Sequence, residues 1–185
     1  MFEKLTQHVN ERQLQLQLVL EYGSQAFNLD TPESDFDYLV VVSQNADQYL
    51  GLNDYTRSWK NYVEENATFQ FMDLKRFFQL AQLSNFTLYV GLQNVRFQNN
   101  DLQHLPKPAE FSCSRLAHHC LGLVDNNSQR QYMKAYSSLF VMFLMQNGHL
   151  PNSLDYRFLL ENTKDVPVDV KALLEMKRSG VKYAT

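Results

Sequence analysis

The alternation of apolar and polar residues predicts the strands of a small sheet. Residues 18–20 and 38–42 are short apolar runs bounded by polar residues, which is typical of strands. Since every position of the second run is apolar, both of its faces are predicted to be covered, as in a central strand of a sheet that carries helices. Residues 67–72 alternate apolar and polar side chains, as a half-buried strand does. Asp73 follows as the predicted N-cap of a helix that begins at Leu74.

Helical spacing dominates the two ends of the chain. The sparse apolar positions of residues 2–17 predict an N-terminal helix that runs into the first strand. Gly148 is expected to end a long helix in the C-terminal half. Residues 93–108 are polar and contain two prolines, so they are predicted to form a linker. Beyond that linker, the spacing of apolar residues predicts four helices, at residues 113–124, 130–146, 154–162 and 168–177.

These elements predict an α+β fold with α/β-like features, in which a mixed sheet with flanking helices is followed by a helical C-terminal half. A length of 185 residues is enough for one domain, or for one compact domain with a helical appendage. We predict a core over residues 1–98 and a helical C-terminal subdomain over residues 109–185.

The composition of the chain limits the classes of molecule that it is expected to bind. The chain has 17 basic and 20 acidic side chains, a net charge of −3 and a pI near 5.9. Such a balance argues against a protein that binds duplex nucleic acid by neutralising its phosphates, although the end of a polynucleotide stays open as a substrate. No run approaches the ~20 apolar residues of a membrane span, and no basic segment precedes an apolar run at the N-terminus. We therefore expect a cytoplasmic protein without a membrane partner.

The candidate chemistry lies between the first two strands. Asp35 and Asp37 open the second strand, where side chains two residues apart share a face, so their Cα atoms are expected to lie roughly 6.5 Å apart. Two carboxylates at that separation can bind a hard divalent ion. Gly23 ends the first strand and allows a ligand to approach the backbone closely. Ser24 is placed to start a helix whose free N–H groups favour an anion. Taken singly, these residues also fit an ordinary strand-to-helix turn and solvent-facing aspartates.

Together, the residues resemble the Gly-Ser, spacer, Asp-x-Asp signature of the DNA polymerase β-like nucleotidyltransferase superfamily. The spacer is similar to that of one branch, the predicted nucleotidyltransferases associated with RNA repair. It runs from Tyr22-Gly23-Ser24-Gln25-Ala26-Phe27 to Thr31-Pro32-Glu33-Ser34-Asp35-Phe36-Asp37. Residues 72–88 and 171–180 also resemble that branch, so the similarity covers most of the chain.

The resemblance implies a nucleotidyltransferase fold and a set of roles. Asp35 and Asp37 would be the catalytic residues and the ligands of Mg²⁺ or Mn²⁺. Gly23, Ser24 and Lys134 would bind the nucleotide. The implied partners are a nucleoside triphosphate and an acceptor such as an RNA end or a protein. The oligomeric state is not implied.

The resemblance also implies a third carboxylate on the third strand, facing Asp-x-Asp, and here the chain departs from the pattern. Gln70 occupies that third-acid position and Thr68 lies beside it, and neither residue can accept a proton or bind a metal as an anion would. Glu64 or Glu65 would substitute if the strand began earlier. A glutamate that relatives carry in the next helix, and an arginine about two turns beyond Lys134, are absent as well.

Two functions follow from this pattern. The first is a Mg²⁺-dependent nucleotidyltransferase that moves NMP from an NTP to a hydroxyl of an RNA end, a protein or a small molecule. The second is a catalytically weakened protein of the same fold, which binds a nucleotide, RNA or a protein partner without turnover. The intact Gly-Ser and Asp-x-Asp elements favour the first function, whereas the missing third acid favours the second.

Overall fold

The computed structural model describes residues 2–50, 61–126 and 129–180, and it contains one five-stranded mixed sheet. In chain order the strands are β1 (Gln15–Tyr22), β2 (Phe36–Ser43), β3 (Tyr62–Glu64), β4 (Ala67–Asp73) and β5 (Val95–Gln98). Their order across the sheet is β3-β4-β2-β1-β5, so β2 lies at its centre as predicted. Strands β2 and β4 are parallel, whereas the other neighbouring pairs are antiparallel.

The helices lie before, between and after the strands. Those of the first half are α1 (Phe2–Glu11), α2 (Ala46–Leu50), α3 (Leu74–Gln82) and α4 (Phe86–Gly91). Those of the second half are α5 (Cys113–Asp125), α6 (Gln131–Asn147), α7 (Tyr156–Glu161) and α8 (Val168–Arg178). Gly148 ends α6 as predicted: it has a left-handed φ of 71°, and its N–H donates to the Leu144 carbonyl oxygen. Among the described helices, none is both long and apolar enough to cross a membrane.

Both faces of β2 are buried, which confirms the prediction from its uninterrupted apolar run. On one face, Val40 and Val42 belong to a cluster with Leu5 and Val9 of α1. On the other face, Leu39 and Val41 belong to the main core, which includes residues of α3 to α8. A mixed sheet covered in this way, followed by a helical half, confirms the predicted α+β class.

The predicted linker over residues 93–108 is wrong in its first part. Strand β5 lies there and pairs with β1 at the edge of the sheet. All four of its side chains are exposed, so the segment has no buried positions that would distinguish it from a loop. The described sheet thus lies within residues 1–98 and helices α5 to α8 lie beyond them, but the two halves share one core. The subdomain boundary stays a prediction, and residues 181–185 of the predicted helical subdomain lie outside the described residues.

Asp73 caps α3, as the sequence predicts. Its Oδ1 accepts a hydrogen bond of 2.8 Å from the Lys75 backbone N–H. Its Oδ2 accepts one of 2.8 Å from the Tyr49 hydroxyl and one of 3.3 Å from the Gln44 side chain. The Asp73 side chain is buried whereas Tyr49 is exposed, so these hydrogen bonds are partly sheltered from water.

We expect Asp73→Ala to lower the free energy of unfolding by about 2 kcal/mol, because it removes the helix cap and the buried carboxylate that accepts from the Tyr49 hydroxyl. Urea denaturation measures the change. Asp73→Asn is the matched control, since its amide oxygen can still cap the helix, and we expect it to lose about half as much. Equal losses in both variants would show that the cap contributes nothing.

Candidate functional site

A cavity of about 350 Å³ opens where the ends of β1 and β2 meet the helical half of the chain. Tyr22, Gly23 and Asp37 line it from the sheet. Arg130 and Tyr132 line it from the start of α6, and α4 supplies apolar side chains. Residues of the Gly-Ser and Asp-x-Asp elements therefore face the N-terminal end of α6 across one cavity.

Gly23 is packed directly against the Asp37 carboxylate. The two residues come together because Tyr22 and Asp37 are partners in the pairing of β1 with β2. Gly23 has a φ of +80°, and a Cβ atom built at this position would lie 2.4 Å from Asp37 Oδ2. A side chain would therefore collide with the carboxylate in a conformation that only glycine adopts readily. Glycine is required here for its backbone conformation and for its lack of a Cβ.

The charge of Asp37 is unfavourable in the absence of a cation. Its side chain is half-buried, and this burial raises the pKa of the carboxyl group above 3.8. The neighbouring Asp35, which is exposed, also raises the Asp37 pKa, whereas the guanidinium of Arg130 lowers it. The structure thus brings the two carboxylates and Arg130 close enough to act on one another electrostatically.

Gln70 lies on the same face of the sheet as Asp37 and is hydrogen-bonded to Tyr22. In the parallel pairing of β2 with β4, Asp37 is opposite Thr68 and Leu39 is opposite Gln70. The Tyr22 hydroxyl donates a hydrogen bond of 3.0 Å to Gln70 Oε1. Burial, with a smaller contribution from the Asp37 charge, raises the pKa of Tyr22 to about 12, so the phenol is neutral and able to donate. The third-acid role of this position stays a prediction.

Glu64, the alternative source of a third acid, lies on the other face of the sheet. It belongs to the edge strand β3, where it is paired with Ala67. Ala67 is part of the buried cluster that contains Leu5 and Val9 of α1. Its carboxylate accepts hydrogen bonds from Lys4 of α1 and from the Tyr62 hydroxyl. The carboxylate therefore points away from Asp37.

The structure shortens the helix predicted to start at Ser24 and places Lys134 in the first turn of α6, and the nucleotide-binding roles of both residues stay predictions. The helix predicted to start at Ser24 is only a three-residue 3₁₀ turn, Gln25–Phe27. It ends because Asn28 adopts a left-handed conformation and donates a hydrogen bond of 2.9 Å from its side chain to Asp155. Lys134 lies in the first turn of α6, whereas Arg130, which immediately precedes α6, brings a positive charge to the cavity.

Cationic residues of α8 approach the loop between β1 and β2, which sequence reasoning did not detect. Lys177 Nζ donates to Ser34 Oγ over 3.4 Å and lies 5.2 Å from the centroid of the Tyr132 ring. Arg178 donates to the backbone carbonyl of Asp30, and its guanidinium lies 3.6 Å from the Asp30 carboxylate. The only sequence signal was the similarity of residues 171–180 to the RNA-repair branch, which did not indicate what these side chains contact.

Comparison with known proteins agrees with this arrangement. The family model of RlaP, described as the RNA repair pathway DNA polymerase beta family, matches residues 1–184. No curated protein matches the chain. The match extends over both the sheet and the helical half, which together surround the cavity. The chain belongs to the RlaP family, the RNA repair pathway DNA polymerase beta family.

Proposed function

We propose that this protein is a Mg²⁺-dependent nucleotidyltransferase that moves NMP from an NTP to a hydroxyl of an RNA end, a protein or a small molecule. The observation that carries the proposal is the packing of Gly23 against the Asp37 carboxylate at a cavity that Arg130 also lines. A negative group for a metal, a positive group for a phosphate and a backbone without a side chain thus meet at one place. Membership of a DNA polymerase beta family supports the same reaction class.

The chemistry of Asp35 and Asp37 fits a bound Mg²⁺ or Mn²⁺. Both residues offer carboxylate oxygens, and the burial of Asp37 makes its negative charge costly until a cation is bound. Within the described residues, no group of three or more His, Cys, Asp or Glu side chains could hold a metal. Mg²⁺ commonly takes one or two carboxylates and completes its shell with waters and substrate phosphates. We therefore propose that metal and NTP bind together.

The remaining residues of the cavity would position the nucleotide. When bound, Mg²⁺ supplies a Lewis acid that offsets the negative charge of the phosphates. Gly23 leaves room beside Asp37, and Arg130 adds a positive charge to the opposite wall. Leu123 of α5 and Met133 of α6, which line the cavity and are only partly buried, offer an apolar surface against which a nucleobase can pack.

A second candidate function, binding without turnover, is favoured by one specific observation. The position that faces Asp-x-Asp on β4 carries Gln70, and its side-chain oxygen accepts the hydrogen bond of Tyr22. A carboxamide cannot take the proton of an attacking hydroxyl. A protein with this site would bind the metal and nucleotide but transfer nothing.

Titration calorimetry of each NTP with Mg²⁺ tests the shared metal site. We expect wild-type protein to bind at least one NTP only when Mg²⁺ is present, and the double variant Asp35→Asn/Asp37→Asn to lose this binding. Unchanged affinity in the double variant would overturn the proposed metal site.

A thermal melt shows that any loss of binding is not a loss of folding. Since the pKa of Asp37 is raised on folding, its ionisation lowers the stability of the metal-free protein as the pH rises through that pKa. At neutral pH the double variant should therefore melt at the same temperature as wild-type protein without metal, or at a slightly higher one.

Transfer is tested separately, with labelled NTP and total RNA or cell lysate as the source of acceptors. Label on an acceptor with wild-type protein, and none with the double variant, would support the nucleotidyltransferase. Mg²⁺-dependent NTP binding with no label on any acceptor would favour binding without turnover. In that case, activity gained by Gln70→Glu but not by Gln70→Asn would identify the missing acid as the cause.

A further inference from the structure

Two cations from different helices lie beside the candidate site. Arg130, immediately before α6, lines the cavity together with Asp37 and Tyr132. Lys177, near the end of α8, lies over the Tyr132 ring and reaches Ser34, the residue before Asp35. Tyr132 therefore lines the cavity and also contacts Lys177 through its ring. The two positive charges and the two carboxylates thus belong to one cluster.

The charge of Lys177 is only partly offset, by the nearby carboxylate of Asp30. In the part of the chain that the structure describes, Lys177 forms no ion pair, and the nearby Asp30 carboxylate is paired with Arg178 at 3.6 Å. Burial lowers the pKa of Lys177, and the positive charge of Arg130 lowers it further, whereas Asp30 raises it. A half-buried ammonium next to a second cation is unfavourable unless an anion lies between them.

Two electrostatic effects oppose each other at Arg130, since the Asp37 carboxylate attracts its charge whereas the N-terminal end of α6 disfavours it. Arg130 is the N-cap residue of α6, a helix of 17 residues, and its side chain makes no capping hydrogen bond. The N-terminal end of a helix carries a partial positive charge, so a cation there is disfavoured, and the first turn of α6 contains no acidic residue. An anion bound in the cavity would remove this cost as well.

We propose that Lys177 and Arg130 form a cationic pair that binds the phosphate chain of the nucleoside triphosphate, an inference that rests on the proposed function. A phosphate chain carries several negative charges, so it can interact with both cations at once. A ligand with a single carboxylate could not. Arg130 lines the cavity together with Asp37, and Lys177 is hydrogen-bonded to Ser34, the residue before Asp35, so both cations lie close to the proposed metal ligands. Lys134, which the resemblance assigned to the nucleotide, is not needed for this contact.

The competing explanation is that the two cations only balance the charges of Asp35 and Asp37. Binding measurements with three probes separate the two roles: an NTP that wild-type protein binds, inorganic tripolyphosphate, and the matching NMP, each with Mg²⁺. We expect Lys177→Met to weaken binding of the NTP and of tripolyphosphate by about 10–100-fold, since each loses a charge-assisted contact. Its affinity for the NMP should change less than about threefold.

The matched control is Lys171→Met, which removes an exposed lysine of the same helix and should leave all three affinities unchanged. Lys177→Arg keeps the positive charge and should retain most of the affinity for tripolyphosphate. Arg130→Gln should, like Lys177→Met, weaken the binding of the NTP and of tripolyphosphate more than the binding of the NMP.

The outcomes distinguish this inference from the proposed function. If wild-type protein binds neither NTP nor tripolyphosphate, the proposed function is overturned, and this inference with it. If wild-type protein binds NTP and Lys177→Met binds it equally well, only this inference is overturned. Equal losses for NTP and NMP would also overturn it, because they would assign Lys177 to charge balance rather than to the phosphate chain.

Discussion

Gly23→Ala is expected to reduce Mg²⁺-dependent NTP binding about 100-fold and to lower the free energy of unfolding by about 2–3 kcal/mol. At φ +80° an alanine pays roughly 1–2 kcal/mol in backbone strain. Its Cβ would also lie 2.4 Å from Asp37 Oδ2, so either the strand end or the carboxylate must move. Because Asp37 is the proposed metal ligand, a displacement of about 1 Å would misplace the metal and the NTP bound with it, and a misplacement of that size can cost about 100-fold.

Gly148→Ala is the control that separates backbone strain at a positive φ from the collision of a new Cβ atom with Asp37. Gly148 has a similar φ of +71°, but a Cβ there would meet no atom within 4 Å. We expect Gly148→Ala to cost about 1 kcal/mol in urea denaturation and to leave NTP binding unchanged. If both variants lost the same stability and both bound NTP, the contact between Gly23 and Asp37 would have no functional role.

The parts of the fold that the sequence predicts correctly are those whose signal is local. Strands β1, β2 and β4 each carry an apolar pattern within seven or eight residues, and the cap of α3 is a single aspartate before an amphipathic run. These features need no knowledge of distant contacts. The sequence also pointed to Gly23 and Asp37 as parts of one candidate site, but it did not predict the antiparallel pairing of β1 with β2 that packs them together.

The parts that sequence reasoning missed depend on tertiary contacts. Strand β5 exists because β1 offers it a pairing edge, since its own four side chains are all exposed. The turn after Ser24 stops after three residues because Asn28 bonds to Asp155 of the helical half. Lys177 is 143 positions from Ser34 along the chain, so no local pattern could place the two together.

The second large effect concerns the attachment of β5, and we expect Arg96→Met to lower the free energy of unfolding by about 2–3 kcal/mol. Arg96 donates hydrogen bonds of 3.1 Å and 2.8 Å to the two carboxylate oxygens of Glu21. Glu21 is only 5% exposed, so removing the guanidinium leaves a buried carboxylate without a cation and with only the hydrogen bond of Tyr38. The cost stays below that of a fully buried pair because the Arg96 side chain is 50% exposed.

A double-mutant cycle tests whether this cost arises from the unpaired charge. Glu21→Gln/Arg96→Met leaves no charge in the buried position, so it should be at least about 1 kcal/mol more stable than Arg96→Met alone in urea denaturation. A double variant no more stable than Arg96→Met would show that the arginine acts through its aliphatic packing instead.

Because β5 has no buried side chain, its attachment depends on the ladder with β1 and on this ion pair. Amide hydrogen exchange in Arg96→Met should therefore increase in β5 before it increases in β2.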